Sequence, residues 1–170
     1  MSIEQKNIVI TSAVRTAIGT FRGALKSMQG HDLGSIVVKE SMKKANLKSE
    51  DIDELIMGQV LTSATGQNPA RQTAIKAGLP IEKTAYVINQ VCGSGLRSVA
   101  AGYQAIMSND SKVVIAGGQE SMTNAPHAIN FRNGQKLEES KLIDTMIKDG
   151  LWDAFNDYHM GITAENVATE

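Results

Sequence analysis

The sequence predicts an α/β protein with a mostly parallel sheet covered by helices on both faces. Three observations carry that prediction. Short apolar runs recur without alternation, as in strands buried on both faces. Helical stretches separate them, as parallel strands require. Cap and turn residues such as Asn68-Pro69, Gly78 and Gly117-Gly118 fall at the breaks. Up to residue 118 the order reads β-α-β-α-β-α-β.

Each element has its own signal. Asn7-Ile8-Val9-Ile10-Thr11 reads as a short buried strand rich in β-branched residues. Asp32 is an N-cap for a helix carrying Leu33, Ile36, Val37 and Ala45 inward. Leu55 to Val60 is the second strand. Asn68 as N-cap, Pro69 at the first helical position and Gly78 as stop define a helix over Pro69–Ala77. Ala85 to Gln90 is the third strand. The helix beyond Cys92 places Leu96, Val99, Ala100, Tyr103, Ile106 and Met107 on one face and ends at Asn109-Asp110. Lys112 to Ala116 is the fourth strand, closed by Gly117-Gly118.

From Gln119 periodicity fades, and an irregular stretch of this length is expected to be functional or to make contacts. It includes a charged run from Lys136 to Lys141. Leu142, Ile143, Met146 and Ile147 form a helical stripe stopped near Gly150, and Thr163 is the expected cap of a last helix over Ala164 to Val167. The change of texture divides the chain at residue 118, into 1–118 and 119–170.

Composition excludes several classes. The 170 residues are 42% hydrophobic and 21% charged with a net charge of -1, so no basic footprint for nucleic acid is present. No run of 18 apolar residues suggests a membrane span, and the first residues resemble neither a secretory signal nor a transit peptide. A single cysteine allows no intrachain disulfide and suits a reducing, cytoplasmic setting. His31, His127 and His159 are scattered and Cys92 has no cysteine partner, so the usual zinc and iron–sulfur spacings are absent.

The chemistry converges on Cys92, in Asn89-Gln90-Val91-Cys92-Gly93-Ser94-Gly95-Leu96. A thiol between a strand and a helix start meets unpaired N–H groups and the positive end of the helix dipole. Both favour thiolate, the nucleophilic form. The glycines beyond it allow close approach of backbone and substrate to the sulfur. The bland alternative, a lone cysteine as a small buried hydrophobe, is outweighed by the glycine-rich strand-to-helix turn. A dinucleotide reading of Gly93-Ser94-Gly95-Leu96-Arg97-Ser98 fails because Ser98 stands where the third glycine belongs.

Several motifs in order make the sequence resemble the N-terminal part of a thiolase of the biosynthetic type. They are VRTAIGTFRGAL, GQNPARQTAIKAGLP, NQVCGSGLRSV, VVIAGGQESM, DTMIKDGL and YHMGITAENVA, and the resemblance covers essentially the whole chain. Ala17 stands where the family usually has proline. The resemblance implies the first αβ half of a thiolase over 1–118, its last strand missing, and the start of an inserted loop domain over 119–170, with Cys92 as the nucleophile that takes an acyl group from acyl-CoA. It implies that Leu151, His159 and Met160 line the coenzyme A pocket, with Trp152 and Phe155 close to it. It implies coenzyme A thioesters as substrates, no permanently bound cofactor, no metal, and a homo-oligomer, dimer or tetramer, at full length. The histidine that activates the nucleophile and a second, acid/base cysteine lie in the family's second half; this sequence has neither. The chain is therefore expected to be a fragment, inactive in turnover alone. Two other readings are a non-catalytic acyl-CoA-binding relative and a longer-chain 3-ketoacyl-CoA thiolase. A ketoacyl synthase-like enzyme is disfavoured by CGSGL and the His159-Met160-Gly161 segment.

Overall fold

The structure, a computed structural model, describes residues 7–132, 134 and 141–170. Three parallel strands form its centre: β1 (Glu54–Gly58), β2 (Thr84–Ile88) and β3 (Val114–Gly118), in the order β2-β1-β3. Glu54 pairs with Thr84 on one side and Val114 on the other, and the register runs unbroken to Gly58, Ile88 and Gly118. β1 therefore has neighbours on both edges. Its Leu55, Ile56 and Met57 are fully buried, each worth about 1.5–3 kcal/mol of apolar transfer.

Helices cover both faces. On one, α1 (Gly30–Ala45) and α2 (Pro69–Ala77) bring Val38, Met42, Ala70, Ala74 and Ala77 into a core with Leu55, Met57 and Ala85. On the other, α3 (Ser94–Met107) lies against Val114 and Ala116, close enough that a Cβ on Gly102 would meet them at 3.1 and 3.5 Å. α2 follows its sequence signals: Asn68 accepts a hydrogen bond from Arg71 N, Pro69 opens the helix, and Gly78 closes it at φ 90°.

Several expectations are corrected. Asn7 to Thr11 is irregular, with Val9 70% and Ile10 80% exposed. Among the described residues no strand runs beside it, and a strand exists only through its ladder. α1 starts at Gly30, so Asp32 is its third residue and reaches back to accept from Gln29 N at 3.0 Å. Its buried face is His31, Gly34, Ser35, Val38 and Met42, not Leu33, Ile36, Val37 and Ala45. Gly34 leaves room there for the Gln119 amide, since a Cβ would fall 2.0 Å from Gln119 Oε1. α3 likewise buries Ser94, Ser98 and Gly102, while Leu96, Val99 and Tyr103 face outward. Small residues let this helix lie close on the sheet, whatever the apolar stripe says. The strands are also shifted: β3 runs through Gly117 and Gly118, whereas β1 and β2 end two residues early.

Beyond β3, two short antiparallel strands, β4 (His127–Ala128) and β5 (Ile143–Asp144), pair with His127 opposite Asp144. The expected helix over 142–150 is instead β5 followed by a π-helical turn, Met146–Leu151. Residues 136–140 of the charged run lie outside the described residues. The last helix, α4 (Met160–Thr169), begins earlier than expected. Its cap is His159, whose Nδ1 accepts from Gly161 N at 3.0 Å, not Thr163. No described helix is long and apolar enough to cross a membrane.

Candidate active site

The ends of three parallel strands form a common rim, where α/β proteins usually bind ligands. Gln59, Asn89 and Gln119 are the first residues past β1, β2 and β3, and Gln59 N and Gln119 N extend the ladder to Ile88 O and Gly58 O. Below the rim lies a closed polar network. Gln119 donates to Gln59 Oε1 at 2.9 Å, Gln59 donates to Leu61 O, and Thr73 donates to Gln119 Oε1 at 2.6 Å. Each of these side chains is buried and paired, the condition under which such groups are tolerated. Glu120 follows, its carboxylate accepting from Val60 N at 2.8 Å and Leu61 N at 3.2 Å. Burial pushes its carboxyl above the usual range, against the pull of those two N–H groups.

The turn after β2 carries Cys92. Gly93 N donates to Gln90 O and Ser94 N to Val91 O, closing a tight bend that runs straight into α3, with Gly93 as its N-cap. The thiol is exposed and stands just before the helix start. There a 14-residue helix begins, and its dipole turns its positive end toward the turn. The strand-to-helix reading of this stretch is thus met by the geometry. Two strand glycines, Gly58 and Gly118, make room for the start of α3. A Cβ on Gly58 would lie 2.4 Å from the Ser94 carbonyl carbon, and one on Gly118 would lie 3.3 Å from Gly95 Cα. They let the helix start seat directly on the sheet. A pocket of ≈ 350 Å³ opens beside the turn, bounded by Gln59, Thr62, Gly66, Asn68, Pro69, Val87 and Asn89.

Leu151, His159 and Met160 lie on the segment beyond β5, where a Cβ on neighbouring Gly150 would lie 3.5 Å from Leu61 Cδ2. Leu151 ends the π-helical turn, Trp152 pairs with His159 in an antiparallel bridge, and Met160 is the first residue of α4. Trp152 Nε1 donates to Asp157 Oδ1 at 2.9 Å, and Phe155 stands almost fully exposed. Among the described residues no hydrogen bond or ion pair joins this segment to Cys92. The other histidines are engaged too: His31 Nδ1 lies by Lys76 Nζ and Asp32 Oδ1, and His127 by Asp144 at 3.8 Å. The Lys76 ammonium beside Asp32 holds that carboxyl below the usual range. Among the described residues no three His, Cys, Asp or Glu side chains gather as a metal site would require.

Three residues of this region escape the sequence reading: Asn89, Ser94 and Glu120. Asn89 Oδ1 accepts from Val91 N at 2.9 Å, and Ser94 Oγ accepts from Gln90 N at 2.8 Å. A serine two places beyond the thiol, and a carboxylate just after a Gly-Gly strand end, are the available signals.

The architecture is a parallel α/β sheet covered by helices, with an exposed cysteine at a strand-to-helix turn. The family is specific: residues 8–170 match the thiolase N-terminal domain, and the chain belongs to the thiolase family. It is 58% identical over 160 residues to an acetyl-CoA acetyltransferase of Paracoccus denitrificans, a match covering 94% of this chain and 41% of the relative. It is 57% identical over 162 residues to one from Rhizobium meliloti, covering 95% and 41%. Among solved structures, a thiolase from Ascaris suum in complex with coenzyme A superposes with a TM-score of 0.89 at 39% identity, covering 94% of this chain and 42% of that one. The chain thus spans about two fifths of the length of these relatives.

Proposed function

We propose that the chain supplies the nucleophilic half of an acyltransferase that condenses two acetyl-CoA molecules to acetoacetyl-CoA and CoA, and runs the reverse thiolysis. The observation that carries this reading is the exposed Cys92 thiol at the start of α3. Cys92 thiolate attacks the thioester carbonyl of acetyl-CoA. The carbon–sulfur bond to CoA breaks, CoA thiolate leaves and takes a proton, and S-acetyl-Cys92 remains. A second acetyl-CoA, deprotonated at its methyl, attacks that carbonyl, forming the new carbon–carbon bond and expelling Cys92 thiolate. The thiolate is thereby returned. Relatives named acetyl-CoA acetyltransferase support the two-carbon substrate, and the coenzyme A complex of the Ascaris suum thiolase supports a coenzyme A thioester as ligand.

In this reading Leu151, His159 and Met160 line the coenzyme A pocket, and residues 119–170 begin the loop domain that carries them. The proton acceptors for Cys92 and for the second substrate come from the second half of a full-length thiolase. General acid–base groups contribute about 10²–10⁴-fold, so the 170-residue chain alone is expected to form the acyl-enzyme but not to turn over. The full-length protein is a cytoplasmic dimer or tetramer on the same reading.

The test is intact mass after incubation with acetyl-CoA. One acetyl group is expected on the chain, mapped to Cys92, and absent from Cys92→Ser. A folded chain that stays unmodified, or a Cys92→Ser variant acetylated to the same extent, sinks the proposal.

A further inference from the structure

We propose that Ser94 is a positioning residue for Cys92, its buried hydroxyl clamping the strained turn that presents the thiol, with Asn89 assisting. The inference rests on the reading of Cys92 as nucleophile. Val91 has φ 48°, a left-handed conformation that a β-branched side chain rarely takes. Such a residue costs on the order of 1–3 kcal/mol and persists only where its surroundings over-determine it. Here those surroundings are specific.

Ser94 Oγ accepts from Gln90 N at 2.8 Å and donates to Val91 O at 2.6 Å. Asn89 Oδ1 accepts from Val91 N at 2.9 Å. Both polar groups of the Val91 backbone are therefore held by side chains. The serine hydroxyl gives its one proton and receives one, so its capacity matches the turn. Ser94 is 4% exposed, and its carbonyl is pressed on the Gly58 backbone of the central strand. The clamp is thus anchored in the most buried part of the fold. Asn89 adds a weaker tie, with its Nδ2 3.5 Å from Val60 O.

Cys92 follows Val91 directly and precedes the Gly93 cap, so the turn sets where its sulfur points. With Ser94 removed, Val91 is free to leave the left-handed region and swing Cys92 out of the direction the turn gives it. A displacement of about 1 Å in a reacting group costs as much as about 10²-fold in rate.

The test is the rate of Cys92 alkylation by iodoacetamide in the 170-residue chain, followed by intact mass, with circular dichroism confirming the fold. Ser94→Ala is expected to slow alkylation about fivefold or more, and Asn89→Ala by a smaller factor. Val91→Gly added to Ser94→Ala is expected to restore most of the rate, because glycine enters the left-handed region without steric penalty. A residue that only packs is not rescued at position 91. An unchanged rate in folded Ser94→Ala overturns the proposal, and so does a slow Ser94→Ala that Val91→Gly leaves slow. If Ser94→Ala does not fold, the exposed Asn89→Ala decides, and an unchanged rate there overturns it. Alkylation behaving as expected in a chain that acetyl-CoA never acetylates removes the acyl-transfer reading and leaves the clamp standing.

Discussion

The two faces of the sheet are covered by helices of different construction. α2 is enclosed, with the sheet on one side and α1 on the other, and its Ala70, Thr73, Ala74 and Ala77 are all buried. α3 buries only the small residues Ser94, Ser98 and Gly102 against the sheet and turns Leu96, Val99 and Tyr103 outward. Ser98 Oγ even donates to Gly117 O at 2.7 Å, a backbone tie that a large side chain would forbid. One layer is held by apolar packing, and the other by close backbone approach. The second layer also carries Cys92.

Three substitutions probe this contrast. Leu55→Ala, in the core shared with α1 and α2, is expected to cost about 3–4 kcal/mol by leaving a cavity, read from chemical denaturation. A loss below half of that would mean the core collapses around the gap and is less tightly packed than it looks. Gly58→Ala attacks the other layer, placing a methyl where the Ser94 backbone already sits. About 2 kcal/mol of destabilisation and a slower Cys92 alkylation are expected together. A stability loss with the thiol unaffected would uncouple the helix seat from the turn. Leu96→Ser is expected to change stability by no more than about 0.5 kcal/mol, since that side chain is 78% exposed. A large loss in the melting curve would show that the outward stripe of α3 is covered in solution.

That contrast also explains what the sequence conveys. α2 is legible because Asn68, Pro69 and Gly78 act within their own helix. The parallel sheet is legible from its unalternating apolar runs, and the turn at Cys92 from its glycines. The inward faces of α1 and α3 are not legible, because periodicity reports which face is apolar and not which is covered. Asn7 to Thr11 reads as a strand by composition, yet pairing is a property of two segments. His159 is an unusual capping residue, so the start of α4 is displaced in the reading. The supporting residues of the thiol turn depend on contacts that local signals do not carry; Glu120 reaches Val60 across 60 positions.

Glu120 has a consequence of its own. The strand order reverses between β1 and β3, and in folds of this topology that reversal opens the cleft where an anionic ligand meets free N–H groups. Here the N–H groups of Val60 and Leu61 are already taken by the Glu120 carboxylate. The protein carries an internal ligand in the usual berth.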